Sequence, residues 1–116
     1  MKKLLVSISI ITLSACVNMQ ELREKKPDYT TSSTKSTDVV SNCILNEWQK
    51  NVFRYGNVFI QDYVSLKNGK SIYSESQSEI ADVYTDNGVT HINFYHQRAL
   101  FGYRVDERVN GIKRCL

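Results

Sequence analysis

The sequence predicts an α+β domain, because its apolar residues change their spacing twice along the chain. Over residues 38–50 they recur at the three- and four-residue intervals of a helix, and over residues 58–95 they recur at alternate positions, as in strands. The helical spacing returns over residues 105–116. With 116 residues there is room for one domain. We expect an N-terminal helix, a four-stranded antiparallel meander, and a C-terminal helix or short strand.

The first helix is predicted by four residues at i, i+3, i+4 and i+8, namely Val40, Cys43, Ile44 and Trp48. These offsets place one apolar stripe along a helix. Thr37 or Asp38 is a suitable N-cap, and the helix should end near Tyr55-Gly56, where glycine permits the turn.

The strands are predicted by period-two segments that turn residues separate. Four apolar residues share one face of the first strand: Val58, Ile60, Val64 and Leu66. Asn68-Gly69 leads into Ser71–Ser74, and Asp86-Asn87-Gly88 separates residues 80–84 from residues 89–95. Asn-Gly between alternating segments is the strongest short hairpin signal, so two consecutive hairpins are expected.

The last segment fits a helix best. Val105, Val109, Ile112 and Leu116 fall at i, i+4, i+7 and i+11. Gly111 weakens this prediction, since glycine costs about 1 kcal/mol in a helix interior, and a short strand stays open.

The first 15 residues have the layout of a secretory signal peptide. Lys2 and Lys3 precede an apolar run, and Ser14-Ala15 supplies the small residues of a cleavage site. The apolar run is shorter than the roughly 20 residues that a spanning helix needs. We expect this segment to be removed after export.

Leu13-Ser14-Ala15-Cys16 resembles the lipobox of bacterial lipoproteins. The resemblance implies cleavage between Ala15 and Cys16 and a diacylglycerol, usually with a further acyl chain such as palmitate, on Cys16. Two or more chains would hold the protein on a bilayer stably. In that family Asp after the cysteine favours the inner membrane, so Val17 implies the outer membrane.

Residues 16–37 are expected to form the lipidated N-terminus and a disordered tether, and residues 38–116 the folded domain. Residues 17–37 are polar and lack apolar periodicity. Loss of the signal peptide removes two of the 15 basic residues, which leaves the chain nearly neutral against 12 acidic ones. No basic footprint for nucleic acid remains.

With Cys16 assigned to lipid, Cys43 and Cys115 remain, and an oxidising periplasm favours a disulfide between them. Cys43-Ile44-Leu45-Asn46-Glu47-Trp48, with a cysteine near the C-terminus, also resembles loosely a group of small bacterial and phage lipoproteins without an assigned activity.

The sequence offers no catalytic constellation and no metal site, so we predict a protein that is not an enzyme and has no cofactor besides the lipid. His91 and His96 are five residues apart and would point to opposite faces of a strand. The sparse acidic run is interpreted as solvated surface; it comprises Glu75, Glu79, Asp82 and Asp86.

Tyrosines recur about once per strand. If they face away from the helices, they form a candidate binding face, since tyrosine is enriched at interfaces; the predicted residues are Tyr63, Tyr73, Tyr84, Tyr95 and Arg98. We therefore expect a binding or assembly module for an envelope protein. The alternatives are an envelope-borne inhibitor of a host hydrolase such as lysozyme, and a small cell-wall enzyme.

Overall fold

A computed structural model describes residues 19–98, 100 and 102–116, and it confirms the α+β class. The predicted signal peptide and the lipobox lie outside the described residues. The elements in chain order are α1 Met19–Glu24, β1 Tyr29–Ser33, α2 Thr37–Gln49, α3 Val52–Tyr55, β2 Val58–Asp62, β3 Lys70–Ser74, a 3-10 turn Glu75–Gln77, β4 Glu79–Asp86, β5 Val89–His96 and α4 Gly102–Lys113.

The antiparallel sheet has five strands, where the sequence predicted four. Its order is β1-β5-β4-β3-β2, so the four predicted strands are consecutive neighbours and β1 adds to β5. Tyr29 is opposite Phe94, and Ser33 is opposite Thr90. The prediction of a disordered tether is therefore wrong for α1 and β1. The polar composition of β1 misled it, because an edge strand can be held by backbone hydrogen bonds with little apolar burial of its own.

The two predicted hairpins are present, with different connections. Asn87 and Gly88 have φ angles of 50° and 74° and join β4 to β5 as a type I′ turn. Strand β2 already ends at Asp62, so Val64 and Leu66 do not extend its apolar face, as the sequence had suggested. The β2–β3 connection is a longer loop, which the Tyr63 amide closes by donating to the Gly69 carbonyl at 2.9 Å.

Helices α2 and α4 cover one face of the sheet, which we call the helix face. The side chain of Ser36, rather than Thr37 or Asp38, caps α2 by accepting from the Val39 amide at 3.2 Å. The C-terminal segment is a helix, so the alternative of a short strand is wrong. The principal core forms between the helices and the sheet, and it includes Val40, Ile44, Trp48, Val58, Ile72, Ala81, Val83, Ile92, Phe94, Ile112 and Cys115.

The predicted disulfide between Cys43 and Cys115 is confirmed, with a Cα–Cα distance of 5.6 Å. It joins α2 to the end of the chain and lies at the core. Gly111 of α4 lies close to Trp48 of α2, since a Cβ added to this glycine would lie 3.1 Å from Cδ1 of Trp48. The glycine that weakened the helix prediction is thus the residue that lets α4 approach the Trp48 ring.

Candidate functional site

The predicted tyrosines of the strands lie on the face opposite to α2 and α4, which we call the outer face. Tyr73 is opposite Ile80 on β4, and Ile80 is opposite Tyr95 on β5. Tyr84 is opposite His91, and their rings stack at 5.6 Å. Because side chains alternate along a strand, these residues share one face.

Helix α1 packs on this outer face and covers part of it. Leu22 is 3% exposed and contacts a small cluster with Ile80 and Tyr95. Tyr95 is only 7% exposed, and Tyr73 is half-buried at the edge of the cluster. Tyr95 therefore cannot contact a partner while α1 is in place. The prediction of one open tyrosine face is wrong at this position.

The remaining two predicted residues lie elsewhere. Tyr63 follows β2, and the guanidinium carbon of Arg23 lies 4.0 Å from its ring centre. Arg98 is exposed in the turn after β5. The predicted residues are therefore spread over different places: Tyr95 is covered by α1, Tyr63 contacts Arg23, and Arg98 lies at one end of the sheet.

Arg23 brings a buried ion pair to the outer face. Its Nε and Nη2 atoms donate to the two carboxylate oxygens of Asp82 at 2.7 and 2.8 Å. The hydroxyl of Ser71 accepts from Arg23 and donates to Asp82. Burial acts to lower the pKa of Arg23, but Asp82 outweighs it through hydrogen bonds and charge, so the pKa is raised.

A second buried carboxylate, Glu79, lies on the helix face. Arg104 donates to both of its oxygens, and the Ser74 hydroxyl donates to one of them. Arg108 is 1% exposed; its Nη1 atom donates to the Trp48 carbonyl at 3.0 Å, and its Nε atom lies 3.6 Å from Glu79. Burial lowers the pKa of Arg108, although the charge of Glu79 acts in the opposite direction.

The acidic run is therefore not a solvated surface at two of its four positions. Glu79 and Asp82 are 0% and 2% exposed. They are three residues apart and so point to opposite faces, and both are buried because the sheet carries helices on both sides. Each carboxylate is already bound by arginine, an arrangement that suits a structural role better than proton transfer.

The two histidines lie on opposite faces of β5. The imidazole of His91 stacks on Tyr84, whereas the ring of His96 lies 5.9 Å from Phe94 and 3.8 Å from a carboxylate oxygen of Asp28. In the part of the chain that the structure describes, no three His, Cys, Asp or Glu side chains are placed to hold a metal ion.

An open groove of about 730 Å³ lies at the end of the sheet that carries the β2–β3 loop. Residues 36–38 at the start of α2 and residues 62–64 and 66–70 line it. Val64, which lines it, is exposed, and so are two neighbouring apolar side chains, Val39 and Ile60. We call this region the distal groove. The sequence did not predict it, because Val64 and Leu66 were placed in a continuous strand.

The fold and these sites define a small disulfide-closed α+β domain with two buried arginine–carboxylate clusters and an open groove. Comparison with known proteins adds no relative: no protein-family model, curated protein or solved structure matches the chain. Within residues 19–98, 100 and 102–116, no helix has the length and apolar character to cross a membrane.

Proposed function

We propose that the protein is an outer-membrane lipoprotein, anchored through Cys16, that binds an envelope protein without catalysing a reaction. The lipobox resemblance supports the anchor and its location. The observation that supports binding is the exposed apolar strand β2 beside the distal groove.

The two edge strands of the sheet differ in character. Strand β1 consists of Tyr, Thr and Ser residues, whereas β2 reads Val-Phe-Ile-Gln-Asp. On β2, Phe59 is 44% exposed and its ring lies 5.5 Å from that of Tyr73. Proteins usually protect an apolar edge with charge, proline or a covering element. On β2 the charged residue, Asp62, is the last of the strand, and the apolar Phe59 and Ile60 before it are partly exposed, so this edge suits a binding partner.

The chemistry of this edge favours an extended peptide segment that adds to the sheet as a further strand. Main-chain hydrogen bonds along β2 would supply affinity, and alternate side chains would contact Phe59 on one face and Ile60 on the other. The groove continues past the end of β2, where Lys70 pairs with Asp62. A partner segment with alternating apolar and polar side chains would match both the β2 edge and the distal groove.

Photo-crosslinking in cells tests this proposal. The full-length chain would carry p-benzoylphenylalanine in place of Phe59, and a matched control would carry it in place of the exposed Ser32 on the opposite edge. We expect a discrete crosslinked product from position 59 and none from position 32. Adding Ile60→Lys should abolish the product while the unfolding temperature stays unchanged. Equal products at both edges, or none at position 59, would contradict the proposal.

A further inference from the structure

The 3-10 turn Glu75–Gln77 brings three parts of the chain to one end of the domain. The amide of Met19, at the start of α1, donates to Oε1 of Gln77 at 3.1 Å. The Glu75 amide donates to the Asn57 carbonyl, just after α3, at 2.7 Å. The Gln97 amide donates to the Ser78 carbonyl at 2.9 Å, so the turn after β5 lies there too. We call this end of the domain the proximal end.

Met19 is close in sequence to the proposed lipid. Only Val17 and Asn18 separate it from Cys16, and three Cα–Cα steps of about 3.8 Å cover at most about 11 Å. A lipid on Cys16 would therefore hold the proximal end within one helix diameter of the headgroups. The disordered tether predicted from the sequence would have let the domain turn freely, but α1 and β1 leave no such length.

The proximal end exposes aromatic and basic side chains. Phe53 on α3 is fully exposed, and Tyr103 at the start of α4 is more than half exposed. The guanidinium of Arg54 lies 5.2 Å from the centre of the Tyr103 ring, and Arg98 is exposed in the turn after β5. Glu75 is the exposed acidic side chain of the turn, and its carboxylate already accepts from the Asn57 amide.

We infer that the proximal end is a membrane-contact surface, in which Phe53 and Tyr103 enter the headgroup region and Arg54 and Arg98 meet anionic lipid. This inference rests on the proposed anchor at Cys16. Aromatic rings prefer the membrane interface, and basic side chains are attracted to anionic headgroups. The orientation also directs the distal groove away from the bilayer, because Val58 and Asp62 lie at opposite ends of β2.

Depth-dependent fluorescence quenching tests the orientation on the full lipidated protein. Phe53→Trp and Val64→Trp place a tryptophan at two highly exposed positions, one at each end of the domain. Both variants would be reconstituted in phosphatidylethanolamine–phosphatidylglycerol vesicles with and without brominated lipid. The buried Trp48 supplies the same background in both, and the unsubstituted protein measures it. We expect several-fold stronger quenching and a blue-shifted emission for Phe53→Trp only.

Two further measurements separate the possible failures. Mass spectrometry of Cys16 and vesicle flotation report the anchor, whereas the ratio of quenching reports the orientation. Protein that is lipidated and floats, yet shows equal quenching at the two positions, would overturn the orientation alone. Protein without lipid on Cys16 would overturn the anchor and the orientation with it. Replacing phosphatidylglycerol by phosphatidylcholine should weaken the quenching of Phe53→Trp; an unchanged value would contradict the part assigned to Arg54 and Arg98.

Discussion

Both faces of the sheet are buried, but the helices that cover them differ in length and in how firmly they are held. On the helix face, α2 and α4 contribute 13 and 12 residues and a disulfide links α2 to the C-terminal end of the chain. On the outer face, the six residues of α1 cover the centre of the sheet. Strand β4 contributes a buried carboxylate to each face, Glu79 to the helix face and Asp82 to the outer face.

A six-residue helix is too short to be stable by itself, so α1 depends on Leu22 and Arg23 for its position. The helix face, in contrast, is held by a contiguous core. We therefore expect the outer face to open locally, while the helix face opens only with global unfolding. Opening of α1 would also expose Tyr95, the one predicted interface residue that the structure buries.

Removal of the disulfide should have the largest effect. It joins residues 72 apart, and the chain-entropy model gives about 4 kcal/mol for a loop of this length. We expect Cys43→Ser combined with Cys115→Ser to lower the free energy of unfolding by roughly that amount in urea titrations. The unsubstituted protein under reducing conditions is the matched control. A double variant as stable as the oxidised protein would contradict the assigned strength of the helix face.

Substitution of Glu79 should come next. Glu79→Gln removes the charge that compensates Arg104 and Arg108, and breaking a buried ion pair costs about 3 kcal/mol or more. Arg108 cannot move into solvent without disrupting its contacts with Trp48. We expect one cooperative unfolding transition at a lower temperature, measured by circular dichroism. A normal global stability would show that the cluster is not essential to the core.

Asp82→Asn should have a smaller and more local effect. Arg23 loses its charged acceptor, which costs about 1.5–3 kcal/mol, but α1 can move away from the sheet and return Arg23 to water. We expect faster amide hydrogen exchange in α1 and at the outer face, with little change in the unfolding temperature. A loss of global stability as large as that of Glu79→Gln would mean that the two faces unfold together.

The same difference explains what the sequence could predict. The helix face follows from periodicity, because its helices and strands have regular apolar patterns, and Cys43 and Cys115 could be paired once Cys16 was assigned. The outer face was missed because α1 contributes few apolar residues and is held by contacts distant in sequence, such as Arg23 with Asp82. The type I′ turn at Asn87-Gly88 was predictable from its residues, whereas the early end of β2 at Asp62 depends on loop contacts such as that of Tyr63 with Gly69.

The smallest expected effect concerns Glu47, which lies on α2 and joins it to Arg114 near the C-terminus. Hydrogen bonds from Lys50 and then from Arg114 lower the pKa of Glu47 below its ordinary value of 4.5. A carboxyl with a lowered pKa in the folded state stabilises the protein above its unfolded pKa, and this contribution is lost as the pH falls through the folded value.

Because Lys50 and Arg114 are 66% and 53% exposed, solvent screens both pairs and the contribution should be only a few tenths of a kcal/mol. Urea titrations should therefore show Glu47→Gln slightly less stable than the parent at neutral pH, with the difference vanishing in acid below the folded pKa. A difference that persists in acid would point to packing of the side chain instead of its charge. Arg114→Gln should reproduce part of the stability lost at neutral pH, because it leaves the pair between Glu47 and Lys50 in place. The size of this loss measures how much the contact between α2 and the C-terminal segment stabilises the helix face.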